Sequence, residues 1–156
     1  MTDTDWMKEA VKIARTGIAS GQSPFGSSVV KSDKLISSAH NTVWRDMNPT
    51  AHAEVNAIKE AAKTLGTVDL KGCTVYTTCE PCPMCLAAIH WSNATRVVYG
   101  ATIEMAAQAG FRELFIPATK MVEMGKSQLE VIALPAATDC HTLFQEWKTH
   151  GQSKSY

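Results

Sequence analysis

The sequence contains no long apolar run and no excess of charge of one sign. No stretch approaches the roughly 18 uninterrupted apolar residues of a membrane-spanning helix, and the start MTDTDWMKEA lacks the basic and apolar regions of a secretory signal. We therefore expect a cytoplasmic protein with no membrane partner.

The charges of the chain are balanced. Lysine plus arginine number 15, as do aspartate plus glutamate, so the formal net charge is zero. This balance argues against a large nucleic-acid surface, which normally concentrates positive charge on one face.

Disulfide bonds and a second domain are also not expected. The five cysteines are an odd number, and in a reducing compartment they are more typical of thiols or metal ligands than of disulfides. A chain of 156 residues with 45% hydrophobic residues suits one core. We therefore expect a single domain over residues 1–156.

Helical and strand patterns alternate along the chain. Strands rich in β-branched residues are predicted at 26–31, 35–40, 73–78, 96–100 and 129–134, the first two joined by a turn at Ser32 and Asp33. Helices are predicted over residues 5–20, from His52 to Leu65, after Pro83 to about Trp91, over 103–109, and through Phe144 and Trp147. Residues 41–51 are expected to form a polar loop, and residues 111–128 give no regular pattern. This alternation predicts an α/β fold with a mostly parallel sheet covered on both faces.

The apolar residues of the second helix predict which face it buries. Val55, Ile58, Ala62 and Leu65 recur at helical spacing, and Gly66 follows as a helix stop. We expect these four side chains to face the core.

The stretch TTCEPCPMC places Cys79, Cys82 and Cys85 three residues apart. Cys82 and Cys85 fall in the predicted first turn of a helix, where unpaired backbone N–H groups and the helix dipole favour thiolates. By itself, C-P-M-C is also typical of a redox dithiol or of half a structural zinc site. An iron–sulfur cluster would need a fourth cysteine nearby, whereas residues 86–90 read LAAIH. We therefore interpret Cys79, like Cys73 and Cys140, as a buried and inert thiol.

A third metal ligand is predicted at the start of the second helix. His52 lies two residues before Glu54, and helix N-termini can meet over one crevice of an α/β sheet. H-A-E alone is more typical of a solvated helix face. Together with P-C-x-x-C, however, it matches the zinc-deaminase signature, with His52, Cys82 and Cys85 as Zn²⁺ ligands and a fourth position for water.

This ligand set predicts hydrolytic deamination. Zinc lowers the pKa of bound water from about 15.7 toward about 7, which makes hydroxide available at neutral pH. Glu54 lies beside the metal but is not a ligand. It can protonate the ring nitrogen, take the proton of the attacking water and protonate the departing ammonia.

The chain resembles the cytidine-deaminase-like superfamily through NPTAHAE at 48–54 and TCEPCPMC at 78–85. This resemblance implies a three-layer α/β/α sandwich around a five-stranded mixed sheet, a zinc cofactor and a homodimer. Within the superfamily, the motifs PFG, AHN, AIHW and AGF and the last residue, Tyr156, are similar to small bacterial guanine deaminases.

That second resemblance implies the substrate contacts of a purine base. Asn41 would hydrogen-bond the base beside Ala53, and Phe25 and Trp91 would pack around the ring, although both aromatics also suit a core. Further contacts would come from Glu113, where the family usually has aspartate, and from Tyr156, which could instead be a frayed terminus. An acidic acceptor suits guanine, which presents N–H donors along one edge.

Several alternatives to guanine remain open at this point. A tRNA adenosine deaminase shares NPTAHAE and much of the cysteine motif, but it needs phosphate contacts that a neutral chain disfavours. Guanosine, cytosine or another nucleoside or aminated ring are further alternatives. A zinc-stabilised binding module without catalysis would leave Glu54 without a role, and its metal would usually have a fourth protein ligand.

Overall fold

Five strands form one sheet in the computed structural model, which describes residues 1–134 and 139–156. The strands are β1 (Gly26–Lys31), β2 (Lys34–His40), β3 (Cys73–Cys79), β4 (Arg96–Ala101) and β5 (Glu130–Ala133). Their order across the sheet is β2-β1-β3-β4-β5. All five predicted strands are confirmed, and the five-stranded mixed sheet of the expected sandwich is present.

The expectation of a mostly parallel sheet is only half right. β3, β4 and β5 are parallel to one another, whereas β1 is antiparallel to both β2 and β3. β1 and β2 form a hairpin whose turn residues, Ser32 and Asp33, have φ values of 48° and 57°, as a tight two-residue hairpin turn requires. The β2–helix–β3 connection passes over β1, and the hairpin strand between them makes the sheet mixed.

Seven helices cover the sheet within the described residues. They are α1 (Asp3–Ala19), α2 (Val43–Asp46), α3 (Ala53–Leu65), α4 (Pro83–Trp91), α5 (Ile103–Ala109), α6 (Ala118–Gly125) and α7 (Thr142–Thr149). The predicted helices correspond to α1, α3, α4, α5 and α7. None of the helices in the described ranges is both long and apolar enough to cross a membrane.

Two apolar clusters lie on opposite faces of the sheet. Because neighbouring residues of a strand point to opposite faces, Val97 belongs to one cluster and Val98 to the other. On the Val98 side, α1, α5 and α7 pack against the sheet, with Trp6 and Trp147 among the buried side chains. On the Val97 side, the helices are α3, α4 and α6. The three layers of the expected sandwich are therefore confirmed.

The first helix begins earlier than its apolar pattern predicts because of its cap. Thr2 accepts a hydrogen bond from the backbone of Asp5, and the Asp5 carboxylate accepts one from the backbone of Thr2. This capping box satisfies backbone N–H groups that the helix leaves unpaired. The other side of α1 lies very close to the sheet, because a Cβ atom at Gly26 would lie 2.2 Å from the carbonyl oxygen of Ala10.

Two short helices were not predicted, and the buried face of one predicted helix was predicted only in part. α2 lies inside the expected loop, and α6 lies within the segment that shows no pattern. α6 is only eight residues long, and the side chain of Pro117 at its start makes no capping hydrogen bond. In α3 the most deeply buried residues are Ala53, Glu54, Ala57 and Ala61. Val55, Ile58, Ala62 and Leu65 are half-buried, because the small alanines form the face that approaches the sheet most closely. Ile58 and Leu65 nevertheless pack against the core cluster, as predicted.

Candidate active site

The carboxyl ends of β3 and β4 define the edge of the sheet at which the predicted site residues meet. β3 leads through a short turn into Cys82, the residue that precedes α4, and Pro83 occupies the first position of that helix. His52 immediately precedes α3 in the same way. Two helix N-termini therefore converge here, as expected for the crevice of an open α/β sheet.

Three side chains form a cluster with the geometry of a metal site. The Nδ1 atom of His52 lies 3.7 Å from Sγ of Cys82 and 3.4 Å from Sγ of Cys85. Ligand atoms held about 2.0–2.3 Å from a tetrahedral zinc lie roughly 3.3–3.8 Å from one another, so the cluster has the size that zinc requires. Within residues 1–134 and 139–156, no further His, Cys, Asp or Glu joins this group. Three protein ligands are typical of a catalytic zinc rather than a structural one.

The two cysteines share one negative charge. A hydrogen bond from the Cys85 thiol lowers the pKa of Cys82 to about 4, against the opposing effect of burial. The same hydrogen bond, together with burial, raises the pKa of Cys85 well above its usual value. The pKa of His52 is raised, because burial, which lowers it, is outweighed by the Cys82 hydrogen bond and by nearby negative charges. The cluster is therefore suited to a cation.

Glu54 lies next to the cluster but outside the set of three ligands. Its side chain is buried in the first turn of α3 and lines the same pocket as His52 and Cys82. Burial, followed by the charge of Cys82, raises the pKa of Glu54 above its usual value. A carboxyl group with a raised pKa can accept and return protons near neutral pH.

The pocket is lined by nine residues, and it contains most of the predicted contacts. They are Phe25, Asn41, His52, Glu54, Cys79, Glu80, Cys82, Glu113 and Tyr156. The three predicted metal ligands line the pocket or lie beside it, and Glu54 lines it as well. Four of the six residues expected to contact the substrate also line the pocket.

Asn41 is held at the pocket by the strands next to it. Its backbone N–H donates to the carbonyl oxygen of Phe25 at 3.0 Å, just beyond the pairing of β1 with β2. The side chain is fully buried, with Oδ1 accepting from the backbone of Val43 and Nδ2 donating to the hydroxyl of Tyr156 at 2.6 Å. The amide is thus fixed in orientation, with one donor directed at a group that lines the pocket.

Tyr156 is packed at the pocket, so the interpretation of a frayed terminus is wrong. Its ring centroid lies 5.4 Å from that of His52 and 5.4 Å from that of Phe111, and its backbone carbonyl accepts from Arg112. Burial raises the pKa of its hydroxyl, which keeps the group neutral. Glu113 lines the same pocket, and burial raises its pKa to about 7, with the charge of Cys82 contributing.

Two predicted contacts do not line this pocket. Ala53 is completely buried in α3 immediately after His52 but is not among the lining residues. Trp91 is 81% exposed at the end of α4 and lines a different, apolar hollow. Within one chain, therefore, Trp91 does not pack on a base in the pocket. Trp91 is the last residue of α4, six positions after Cys85 and nine positions after Cys82.

Cys79 and Glu80 line the pocket although no role in it was predicted for them. The Cys79 thiol is buried, burial raises its pKa well above its usual value, and its sulfur donates to the carbonyl oxygen of Thr102 at 3.6 Å. It is therefore a neutral thiol outside the metal cluster, as expected. The Glu80 side chain is buried, and its place two residues before the metal ligand Cys82 was the one sequence signal for it.

Comparison with known proteins agrees with this geometry. Residues 1–101 match the sequence model of the cytidine and deoxycytidylate deaminase zinc-binding region. Over 158 aligned residues, covering 100% of both chains, the sequence is 38% identical to a guanine deaminase from Bacillus subtilis. It is also 43% identical over 99 residues to a tRNA-specific adenosine deaminase from the same organism, covering 64% of this chain and 62% of that one.

A solved structure extends the comparison to the fold. A guanine deaminase from Nitrosomonas europaea superimposes with a TM-score of 0.84 at 27% sequence identity. The superposition covers 94% of this chain and 84% of the other. The similarity therefore includes the part of the chain beyond residue 101, where Glu113 and Tyr156 lie.

Proposed function

Because the chain belongs to the cytidine and deoxycytidylate deaminase family of zinc-dependent hydrolases, we propose that it deaminates guanine to xanthine and ammonia. The observation that carries this proposal is the extent of the similarity. The guanine deaminase aligns over the whole chain, whereas the tRNA-specific adenosine deaminase aligns over 64% of it. Glu113 and Tyr156, which line the pocket, lie beyond the residues that define the broader family.

The proposed mechanism assigns separate roles to the metal ligands and to Glu54. His52 Nδ1 and the sulfurs of Cys82 and Cys85 would hold zinc, which supplies a water molecule acidic enough to ionise near neutral pH. Glu54 would take one proton from this water and deliver it to the ring nitrogen. It would then take the second proton, from the hydroxyl group now on the ring carbon, and deliver it to the departing amine, so that both protons of the water are accounted for. Its raised pKa supports this shuttle, because the carboxyl group must exist in both protonation states during one turnover.

The proposed base recognition uses four other residues that line the pocket, Phe25, Asn41, Glu113 and Tyr156. Asn41 offers an amide whose orientation is fixed by the backbone of Val43. Glu113, when ionised, would accept hydrogen bonds from the N–H donors on the guanine edge. Phe25 and Tyr156 would contact the ring. A base without those donors would leave the Glu113 carboxylate unpaired, which is the basis of strong discrimination in polar sites.

We also propose that residues 1–156 form one deaminase domain that functions as a homodimer. Both apolar clusters pack on the same sheet, which supports one domain. The exposed apolar face of α4 and α6, which contains Trp91, supports a second copy of the chain as its partner.

A substrate panel tests the proposed function. Ammonia release would be measured with zinc-loaded protein on guanine, guanosine, adenosine, cytosine and cytidine, with the Glu54→Gln variant as the blank. We expect release from guanine above all others. Preferred turnover of another base or nucleoside would contradict the assignment of guanine while leaving the deaminase chemistry intact.

An assay with tRNA as the substrate tests the second candidate function, deamination of adenosine in tRNA, which the 43% identity to a tRNA-specific adenosine deaminase favours. We expect no inosine in tRNA incubated with the protein, because the formal net charge of zero offers no excess of phosphate contacts. Inosine formation, with no activity on free bases, would replace guanine with tRNA as the substrate.

A further inference from the structure

Glu80 binds the backbone of two helices at once. Its Oε1 atom accepts a hydrogen bond from the N–H of Ala118 at 2.9 Å, and its Oε2 atom accepts one from the N–H of Ile103 at 3.3 Å. The side chain is buried, and its own N–H donates to the carbonyl oxygen of Ala101 at 2.7 Å. These contacts fix Glu80 at the carboxyl end of the sheet, and each of its two side-chain oxygen atoms accepts a hydrogen bond.

The two amides that Glu80 binds are at equivalent places in the chain. Ile103 is the first residue of α5, and Ala118 is the first residue of α6. Backbone N–H groups in the first turn of a helix have no partner within the helix, and a carboxylate is a favourable acceptor for them. Glu80 thus joins the starts of two consecutive helices to the turn that leads from β3 to Cys82.

The segment between α5 and α6 contains Glu113. In the described part of the chain, the Glu113 side chain has no hydrogen bond or ion pair, and its backbone N–H donates only to the nearby carbonyl of Phe111. The neighbouring Leu114 and Phe115 are largely exposed and give little packing. Before Glu113 the segment is held by Phe111, which is buried in the core, and by the Arg112 N–H, which donates to the carbonyl oxygen of Tyr156. After Glu113 its next hold is the start of α6, so the position of the Glu113 carboxylate depends on these contacts and on how α6 begins.

We propose that Glu80 is a positioning residue for base recognition. By joining the starts of α5 and α6 at the end of β3, it sets where Glu113 stands relative to the metal ligand Cys82. This inference rests on the proposed function, because it assigns to Glu113 a contact with the substrate. Both Glu80 oxygen atoms accept from backbone amides, so the proposal assigns Glu80 no contact with the reacting atoms.

The test is the Glu80→Gln variant, which keeps the length of the side chain but loses one acceptor oxygen. We expect KM for guanine to rise about tenfold or more while kcat and zinc content change less than about twofold, because a displaced contact weakens binding without removing Glu54 or the metal ligands. Thr102→Ala is the matched control. Thr102 caps the same α5 through Met105 but does not reach α6, so we expect its KM to stay within about twofold of the wild type.

A double-mutant cycle separates positioning from general destabilisation. If Glu80 acts through Glu113, then Glu80→Gln should change KM less than about twofold in a Glu113→Gln background. A KM effect that is equally large in both backgrounds would overturn the proposal. So would a loss of thermal stability or zinc with KM unchanged. If Glu80→Gln does not fold, Glu80→Asp, whose shorter carboxylate cannot span both amides, replaces it in the same cycle.

Hydrogen exchange tests the two Glu80 hydrogen bonds directly, independently of the substrate. In Glu80→Gln we expect at least one of the backbone amides of Ile103 and Ala118 to exchange about tenfold faster than in the wild type and in Thr102→Ala. Unchanged exchange at both amides would overturn the proposal even if guanine is the substrate. If the wild type does not turn over guanine, the proposed function fails. The double-mutant cycle is then measured with the substrate that the panel identifies. If the effects of Glu80→Gln and Glu113→Gln on KM are not coupled for that substrate, the positioning role is overturned.

Discussion

The carboxyl group of Glu54 lies in an environment that suits a proton shuttle but not a metal ligand. It is buried in the first turn of α3, two residues after His52, and it lines the pocket without joining the cluster of ligand atoms. A buried carboxylate costs free energy unless it is paired, so burial raises the pKa of Glu54.

We therefore expect Glu54→Gln to abolish turnover without releasing zinc. Glutamine has nearly the same shape but cannot carry a proton between groups. kcat should fall by about 10²–10⁴, the usual contribution of a positioned general acid and base, while zinc stays near one ion per chain by elemental analysis. Cys85→Ser is the control that should lose zinc and activity together. A Glu54→Gln variant with near-normal turnover would refute the assignment.

At the level of residues, the metal site could be predicted from sequence and the rest of the pocket only in part. His52, Cys82 and Cys85 could be predicted because each lies at a helix start, where local sequence determines side-chain direction. The role of Glu80 could not be predicted, because the two groups that its side chain binds are backbone amides 23 and 38 residues away. Trp91 was placed in the pocket by resemblance, but an aromatic at the end of a helix has the same local sequence whether it faces a pocket or solvent.

Helix α1 is joined to the sheet by a half-buried group of polar side chains. The Asp3 carboxylate accepts from Arg96 of β4 at 2.9 Å and from the hydroxyl of Tyr76 of β3 at 2.7 Å. Burial would raise the pKa of Asp3, but the hydrogen bonds from Arg96 and Tyr76 together outweigh it and lower the pKa. The ionised form of Asp3 therefore stabilises the folded chain.

This pKa shift predicts how stability depends on pH. Because the pKa of Asp3 is lower in the folded than in the unfolded state, its contribution is complete well above the unfolded value of 3.8 and is lost as the pH falls through the lower folded value. Asp3→Asn should lower the free energy of unfolding by about 1–2 kcal/mol at pH 7. The difference from the wild type should shrink below pH ~4, as measured by urea unfolding across the pH range.

Glu130 provides a matched control for the same arginine. It accepts from Nε of Arg96 at 3.0 Å, but its side chain is largely exposed. Exposed ion pairs contribute little, so Glu130→Gln should change stability by less than about 0.5 kcal/mol. A loss in Asp3→Asn that persists unchanged at pH ~2.5 would show that the ionised carboxylate is not its cause.

At the level of elements, periodicity predicted the long helices and all five strands, but not strand direction or the shortest helices. The β2–α3–β3 unit is a parallel crossover, as alternation implies. The β1–β2 hairpin comes first in the sequence, and its strand β1 lies between the two strands of that crossover. α6 has no capping side chain of its own, and the partner of its first amide is the distant Glu80. Both features depend on contacts far apart in sequence.

The whole molecule has one face that a single chain leaves uncovered. The sequence of α4, PMCLAAIHW, has no Asp, Glu, Lys or Arg and is apolar on all sides, which is typical of a helix covered all round. Here Trp91 is exposed, and beside it lies an apolar hollow of about 700 Å³ between α4 and α6, lined by residues such as Ile116, Met121 and Met124. A contiguous apolar surface of this kind is typical of an interface.

We propose a second copy of the chain, rather than a charged partner, as the occupant of this face. Among the residues that the structure describes, no Asp, Glu, Lys or Arg lines the hollow, so this lining offers no charge complementarity to a nucleic acid or to a basic or acidic peptide. A protruding indole beside a hollow allows two identical faces to fit each other about a twofold axis. Covering Trp91 and the adjoining exposed Leu114, Phe115 and Met124 would bury roughly 600 Å² per chain, near the ~800 Å² of stable interfaces.

We therefore expect the protein to sediment as a dimer and Trp91→Glu to dissociate it. A buried tryptophan at the centre of an interface typically contributes about 2 kcal/mol or more, so the dissociation constant should rise about 30-fold or more. Sedimentation velocity across a range of protein concentrations measures this change. Val68→Glu is the matched control, because Val68 is 82% exposed but lies outside the hollow, between α3 and β3. A monomeric wild type at micromolar concentration, or equal dissociation constants for the two variants, would contradict this use of the α4 face.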